Sequence, residues 1–464
     1  MGGGRFLALL APALPHALSL ALALCAAGPL AAQQPTPPDS ARPASPDDSL
    51  SPDSLAARLE RAERAIALLR QQLADESQSA VRTRSRFQLE LNGRVLMNTF
   101  ATAGRVNSVD VPIVALEPND DPRGSVLGVT VRQTRLGATI GVSDVLGGTF
   151  EGNVDLDFAG GVQSGPGDRR LFPEPRLRTA WGRLVWDRTE LLVGSETPLI
   201  SDLNPISVAS VAVTEFVAAG NLWNWLPQAR LTRELGTLRL GAAPLRIGVQ
   251  GAVMAPVSGS QYPGETDAVD AAERSGRPFL EGRLRVRWGD PAAAPASDAA
   301  LGGEGGEIGI GVHHGWLATS DSTLATSRAL SADARISLTR LLELRGEWYA
   351  GRLLRGLGGG GIGQNFGVPA PGESLGPAVR DVAGWAQLNL QAHPLLITGA
   401  GCGLDVANED DRPTRLRNGA CSAHLLWRPA QPVLLGAEYR RIRTLYASGP
   451  ATADHFNLAL GFEF

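Results

Sequence analysis

The chain has 464 residues, 55 of them glycine, and a formal net charge of −4 at pH 7. All 43 basic residues are arginine, and a pI near 6.0 gives no reason to expect a nucleic-acid partner. Beyond the N-terminus no segment holds the ~20 consecutive apolar residues of a membrane helix, which argues against a helical membrane protein.

Residues 1–32 have the pattern of a secretory signal peptide. Arg5 precedes a largely apolar run from Phe6 to Ala27, and small residues follow at Ala31 and Ala32. This arrangement predicts export, with cleavage between residues 27 and 32; an uncleaved anchor is the alternative. Residues 33–53 are mostly Pro, Ser, Asp and Ala, and predict a disordered linker.

Residues 54–76 have helical periodicity. Their hydrophobic residues are spaced alternately four and three apart, as in the a/d seam of a coiled coil: Leu55, Leu59, Ala62, Ile66, Leu69 and Leu73. Fewer than three heptads is short for an isolated coiled coil. We therefore expect a helix that self-associates as part of a larger oligomer, or alternatively a monomeric helix packed on the domain that follows it in the chain.

Residues 87–464 predict an all-β domain, a transmembrane antiparallel β-barrel of about 16 strands. Connections between the strands alternate between long and short, with short turns near Arg188 and residue 236, as in outer-membrane barrels. The connection 290–304 breaks this alternation, because it is long where a short turn is expected. The predicted strands are 87–101, 128–142, 148–160, 176–187, 189–196, 226–235, 237–254, 278–289, 305–318, 330–340, 342–352, 379–392, 395–405, 417–428, 432–446 and 453–464.

The long connection 197–225 is unusually apolar for a surface loop and contains no arginine. It is a candidate constriction loop that folds into the lumen, where Asp202 and Glu215 would face a basic wall. The alternative is an outward loop packed at a subunit interface.

Arginines alternate with apolar residues along several strands. In 278–289, Arg283, Arg285 and Arg287 share one face, and each would cost ~2–4 kcal/mol near the bilayer midplane if it faced lipid. They are therefore predicted to line the lumen and, if unpaired, to favour anions. The alternative is a salt-bridged wall, because Glu281, Glu343, Glu347 and Glu438 also face inward. The other predicted pore-lining residues are Arg183, Arg230, Arg239, Arg345 and Arg440.

Two cysteines, Cys402 and Cys421, follow the predicted signal peptide. Pairing residue 405 with residue 418 places the two cysteines opposite each other on adjacent strands. An exported protein meets conditions that allow a disulfide, although antiparallel neighbours do not always provide suitable geometry.

The last ten residues alternate strictly, with Phe456, Leu458, Leu460, Phe462 and Phe464 on one face. A lipid-facing strand has this pattern, although an edge strand of a soluble sandwich also could. The terminal Phe464 is similar to the closing-strand signal of bacterial outer-membrane barrels, which implies recognition by the barrel-assembly machinery.

Several short motifs resemble DcaP-like porins, trimeric relatives of the phosphate-selective porins. Arg132–Gly137 and Phe150–Phe158 resemble the early strands of that family, and Gly346–Gly351 and Gly384–Leu388 resemble later ones. The resemblance implies a signal peptide, a periplasmic coiled coil, a sixteen-stranded barrel and a homotrimer that prefers anions.

Together these features predict an outer-membrane porin for passive diffusion of small hydrophilic, anionic solutes, without enzymatic activity. Scattered histidines predict no metal site, and diffusion requires no cofactor. Two other hypotheses are compatible with the same sequence features: a non-conducting barrel that anchors a periplasmic coiled coil, and an outer-membrane barrel hydrolase.

Overall fold

A computed structural model of the chain describes residues 80–82 and 87–464, except 118–124, 162–167, 241–242, 261–268, 290–300, 302–304 and 321–322. The predicted signal peptide, linker and coiled-coil helix lie outside the described residues. No helix in the described part of the chain is both long and apolar enough to span a membrane.

Most of the described residues are in strands. The strands are β1 Ala80–Arg82, β2 Phe87–Ala103, β3 Val126–Thr130, β4 Arg135–Val145, β5 Gly148–Gly160, β6 Glu174–Val185, β7 Thr189–Glu196, β8 Leu226–Leu240, β9 Ala243–Met254, β10 Phe279–Gly289, β11 Gly305–Ser320, β12 Thr323–Ser337, β13 Leu342–Arg352, β14 Arg380–His393, β15 Leu396–Ala407, β16 Arg415–Trp427, β17 Val433–Tyr446 and β18 Gly449–Glu463. Within the described ranges the helical segments are single turns: α1 Asp168–Leu171, α2 Gly360–Gly363, and 3-10 turns at Glu273–Ser275, Arg355–Leu357 and Glu409–Asp411.

The chain divides into two compact units, Met1–Glu90 and Leu91–Phe464. In the first unit, β1 pairs antiparallel with the start of β2. In the second, the strands pair in chain order and β18 pairs with β2, so the sheet closes on itself. Both β3 and β4 pair with β2 as two halves of one strand. The described residues of this unit therefore form a closed antiparallel barrel of 16 strands.

Strand β18 shows how the sequence pattern separates the two faces of the barrel. Phe456, Leu458 and Leu460 are 45–49 % exposed on the outer face, whereas Asn457 and Ala459 between them are buried. Successive strand residues point to opposite faces, so an apolar outer face and a small or polar inner face follow directly from the alternation. The predicted barrel and the orientation of its last strand are confirmed.

The predicted strand 128–142 is interrupted at residues 131–134. At this interruption the Leu96 N–H donates to a side chain instead of to a backbone carbonyl: its acceptor is Thr134 Oγ1, at 3.1 Å. The interruption turns the side chain of Gln133 into the lumen, where it is buried.

Other predicted boundaries are wrong. The turn expected near residue 236 is a bulge between Glu234 and Gly236, and β8 continues to Leu240. Strand β12 begins at Thr323 rather than 330 and β18 at Gly449 rather than 453, so two connections on the long-loop side are short. In the first half of β12 the inward residues, such as Ser327 and Ala329, are small. They give little contrast in hydrophobicity, so the alternation of a strand is hard to see in the sequence.

Candidate permeation site

The inner face of the wall is charged. On β10, Glu281, Arg283, Arg285 and Arg287 alternate with apolar residues that face outward, as the sequence predicts. Register places Arg283 opposite Gln250 and Arg287 opposite Arg246 of β9. Charged residues that face lipid are destabilising. Since alternate residues of a strand share one face, the four charged residues of β10 all face the lumen.

The connection 197–225, here called the inner loop, lies inside the barrel. Its backbone N–H groups donate in sequence to inward side chains around the wall, on β10, β13, β14, β17 and the interruption between β3 and β4. These bonds are Leu199 N to Glu281 Oε2 (2.5 Å), Leu203 N to Glu347 Oε1 (2.9 Å), Ile206 N to Gln387 Oε1 (2.7 Å), Val208 N to Glu438 Oε2 (3.2 Å) and Val211 N to Gln133 Oε1 (2.9 Å). The loop is thus bound to the wall over a large part of its circumference and narrows the lumen.

The apolar composition of the inner loop is explained by this position. Leu199 and Leu222 pack in one cluster with Leu317 and Leu354 of the wall and its connections. Ile206, Val208 and Val211 pack in a second cluster with Leu96 and Leu434. The alternative of an outward loop at a subunit interface is therefore wrong.

Asp202, predicted to face a basic wall, is bound to Arg283. The Arg283 Nη1 donates to Asp202 Oδ2 at 2.5 Å, and the same guanidinium contacts Glu307 (2.8 Å) and Asp333 (2.5 Å). Burial acts to raise the pKa of Asp202, but the charges of Arg283, Arg230 and Arg285 outweigh it and lower that pKa below its usual value. Asp202 is therefore ionised and ties the loop to β10.

Glu215, the second predicted loop residue, is fully buried beside Arg440 and Glu438. Its Oε1 lies 3.4 Å from Arg440 Nε, while Arg440 Nη2 donates to Glu438 Oε1 at 2.9 Å. Two carboxylates thus compete for one guanidinium. Burial, and then the charge of Glu438, raise the pKa of Glu215 to about 8, so this loop carboxyl holds a proton at neutral pH.

The predicted ladder of unpaired arginines is wrong, because most of these residues are bound to neighbouring acceptors. Arg183 pairs with Glu151, Arg345 with Glu343, and Arg440 with Glu438. Arg230 donates to Gln228 Oε1 at 3.1 Å and to the Thr197 carbonyl. Arg239 shares the register of this inward set, opposite Pro244, but lies exposed near the end of β8. The alternative prediction, a wall of arginines bound to neighbouring acceptors, agrees better with these contacts than a ladder of unpaired arginines does.

Arg285 and Arg287 differ from the others because they share one carboxylate. Both donate through Nη2 to Glu234 Oε1, at 2.8 and 2.5 Å. Arg246 lies directly across from Arg287 and donates to the Gly289 carbonyl at 2.8 Å. Arg246, Arg285, Arg287 and Glu234, here called the mouth cluster, therefore hold more positive than negative charge at the short-turn end of β8–β10.

Several residues that hold the inner loop were missed by sequence reasoning. Gln133 and Gln387 accept loop N–H groups, and Arg178 donates to the Val211 carbonyl at 2.6 Å. Inward parity on a strand was the available signal for Gln387. Nothing local indicates Gln133, since its orientation depends on the interruption of a strand.

Ser327, His313 and Glu281 are connected by hydrogen bonds inside the wall. His313 Nε2 lies 3.1 Å from Ser327 Oγ, and His313 Nδ1 lies 3.0 Å from Glu281 Oε1. This connectivity resembles a hydrolase triad. However, Ser327 has no exposed surface, and Glu281 also accepts the loop N–H of Leu199. The contact serves to hold the loop against β10 and β11.

The predicted register of the two cysteines is found on β15 and β16. Asp405 pairs with Asn418, which sets Cys402 opposite Cys421, and the two sulfur atoms form a disulfide. Inward-facing neighbours of both cysteines are buried, so the disulfide lies on the outer face of the barrel and away from the lumen.

No family model matches the sequence, and no curated protein matches it. Among solved structures, the outer membrane channel DcaP of Acinetobacter baumannii aligns with 83 % of this chain and 100 % of its own length, at 14 % identity and a TM-score of 0.61. An anion-selective porin from Comamonas acidovorans aligns with 82 % of this chain and 100 % of its own length, at 12 % identity and a TM-score of 0.49. The similarity to DcaP shows that the two proteins share a fold. The resemblance seen in the short sequence motifs is thus also present in the architecture of the barrel.

Proposed function

We propose that this protein is an outer-membrane porin through which small hydrophilic solutes diffuse. The observation that carries the proposal is a closed barrel with a charged inner face, narrowed by a loop bound to that face at successive strands. An apolar outer face and a polar interior are what a water-filled barrel in a bilayer requires. The structurally similar DcaP is described as an outer membrane channel, which supports the same function here.

Preference for anions is assigned to the mouth cluster rather than to Arg283. Three carboxylates surround Arg283, so its charge is largely compensated. Arg285 and Arg287 share one bound carboxylate, Glu234, and Arg246 faces Arg287. Glu307 lies across from Arg287 on β11 but is bound to Arg283. Excess positive charge at the mouth of a water-filled lumen raises the local concentration of anions there.

Replacing Arg285 and Arg287 together by Gln tests this assignment. In planar bilayers under a salt gradient, wild-type channels should prefer anions, and the double variant should shift the reversal potential toward cations. The shift should be larger in dilute salt, because the screening length falls from ~10 Å at 0.1 M to ~3 Å at 1 M. Arg233→Gln is the matched control, because Arg233 is exposed on the outer face at the same end of β8.

The outcomes separate the hypotheses. Conducting channels whose selectivity does not move would contradict the anion assignment but leave the porin intact. Folded protein that inserts without conducting would contradict the porin and favour the barrel anchor. The hydrolase hypothesis requires lipid hydrolysis that Ser327→Ala abolishes; with Ser327 buried, we expect no such activity.

We further propose the outer membrane as location, with the N-terminal segment in the periplasm, and a homotrimer as the assembled form. An even number of barrel strands places both ends of the barrel on one side, which agrees with a periplasmic helix next to it. The heptad seam of residues 54–76 supports self-association.

A further inference from the structure

Four basic residues stand in one line across four adjacent strands of the barrel. The register pairs His314 of β11 with Arg328 of β12, Arg328 with Arg352 of β13, and Arg352 with Arg380 of β14. Directly paired residues on neighbouring strands are ~5 Å apart. We call His314, Arg328, Arg352 and Arg380 the outer row.

The outer row faces away from the lumen. Its sequence neighbours His313, Ser327 and Asp381 are buried on the inner face, so the alternation directs the row outward. Arg328 is exposed, and the side chain of Arg380 is 52 % exposed.

The row borders the apolar part of the outer face. On β11, β12 and β14, the residues two places from the row toward the short-turn end are Val312, Leu330 and Val382, which are 54 %, 46 % and 36 % exposed. At the same rim, the guanidinium of Arg277 lies 5.2 Å from the ring centre of Trp316. An aromatic and basic rim beside an apolar band lies at headgroup depth in a membrane.

The row carries three guanidinium charges, and two of them, on Arg328 and Arg352, have no carboxylate partner among the described residues. Among the residues that the structure describes, Asp411 is the carboxylate paired with the row, through Arg380 at 2.8 Å. Arg352 Nε donates to the neutral Thr326 carbonyl. Elsewhere on the outer face, Arg441 has a carboxylate, Asp454, at 3.8 Å. Like charges directly opposite on neighbouring strands destabilise a sheet, so the row would gain from an external anion.

We propose that the outer row binds the phosphate groups of a phosphorylated glycolipid in the leaflet at the long-loop end of the barrel. Paired guanidinium groups match phosphate oxygens in a forked, charge-assisted geometry, and Arg328 and Arg352 stand side by side at headgroup depth. The inference rests on the proposed membrane location but not on conduction, because lipid binding is measured directly.

The test is native mass spectrometry of the detergent-solubilised full chain with a diphosphorylated glycolipid of the lipid A type and with its dephosphorylated form. Wild-type protein should bind the phosphorylated lipid at least ~10-fold more tightly than the dephosphorylated one. Arg328→Gln combined with Arg352→Gln should remove that preference. Arg233→Gln, which deletes an outward charge at the opposite end of the barrel, should keep it.

Equal binding of the two lipids by wild-type protein overturns the proposal without reference to any variant. Unchanged binding in the double variant also overturns it. Loss of the oligomer in the double variant would instead identify the row as a contact between copies of the chain, and would overturn the lipid assignment. Heat-dependent electrophoretic mobility verifies that each variant retains a folded barrel.

Discussion

Arg283 illustrates how a single charged residue is used in this wall. Its side chain has no exposed surface, and three carboxylates from the inner loop, β11 and β12 surround it. A guanidinium so completely buried is stable only where such partners offset the loss of hydration. Its role is therefore to fix the loop, whereas the less compensated arginines of the mouth cluster act on solutes.

Glu215 makes the packing of the inner loop dependent on pH. Its pKa is about 8 in the folded protein and 4.5 as the ordinary value. Between these values the folded state holds a proton that the unfolded chain has lost, so stability decreases as pH rises through this window. We expect the free energy of unfolding to fall by up to ~1.4 kcal/mol per pH unit there and to level off above pH 8.

The matched variant for this prediction is Glu215→Gln, which mimics the protonated acid. Urea unfolding at pH 5.5, 7 and 8.5 should give a stability difference between variant and wild type that grows with pH. A difference that is constant over this range would show that Glu215 does not hold the proton.

At the scale of elements, the inner loop shows where sequence reasoning succeeds and where it stops. An apolar segment without arginine predicted a loop inside the lumen, and the structure places it there. The order of its contacts could not be predicted, because each one joins the loop to a strand distant in sequence, as Ile206 with Gln387. Such contacts depend on closure of the whole barrel.

Glu281 binds the start of the inner loop to the wall. Replacing Glu281 therefore tests how this part of the loop is held. Glu281 Oε2 accepts the N–H groups of Leu199 and Ile200 at 2.5 and 3.3 Å. Glu281→Ala would leave these buried donors without a partner, at about 1–3 kcal/mol each. We expect hydrogen exchange of both amides to accelerate by about 10-fold or more.

Glu281→Gln is the control, because an amide oxygen still accepts a loop N–H. It should retain most of the protection that the Ala variant loses. If both variants exchange as slowly as the wild type, then Glu281 does not hold the start of the loop.

The strands themselves were largely predictable, since lipid outside and water inside impose a period of two on every spanning segment. The errors occur where that contrast weakens. Gly236 introduces a bulge rather than a turn, and small residues conceal the first half of β12. A single strand can also be interrupted, as at Gln133, without any change in its overall direction.

At the scale of the whole molecule, the assembled state is proposed from a segment outside the described residues. Leu59, Ile66 and Leu73 occupy a positions, and Leu55 and Leu69 occupy d positions. Fewer than three heptads are not expected to associate alone, so the helix would add to contacts between barrels rather than replace them.

Deleting residues 54–76 should therefore weaken the trimer and leave the barrel folded. Native mass spectrometry at increasing detergent concentration should show the deletion variant dissociating to monomers under conditions where the full chain remains trimeric, while heat-dependent electrophoretic mobility reports an intact barrel. Replacing Leu59, Ile66 and Leu73 by Ser should have the same effect. Arg61→Ser, at a c position outside the seam, should leave assembly unchanged because it removes no a or d contact. A full chain that is monomeric, or a deletion variant as resistant as the full chain, would contradict a role of the helix in assembly.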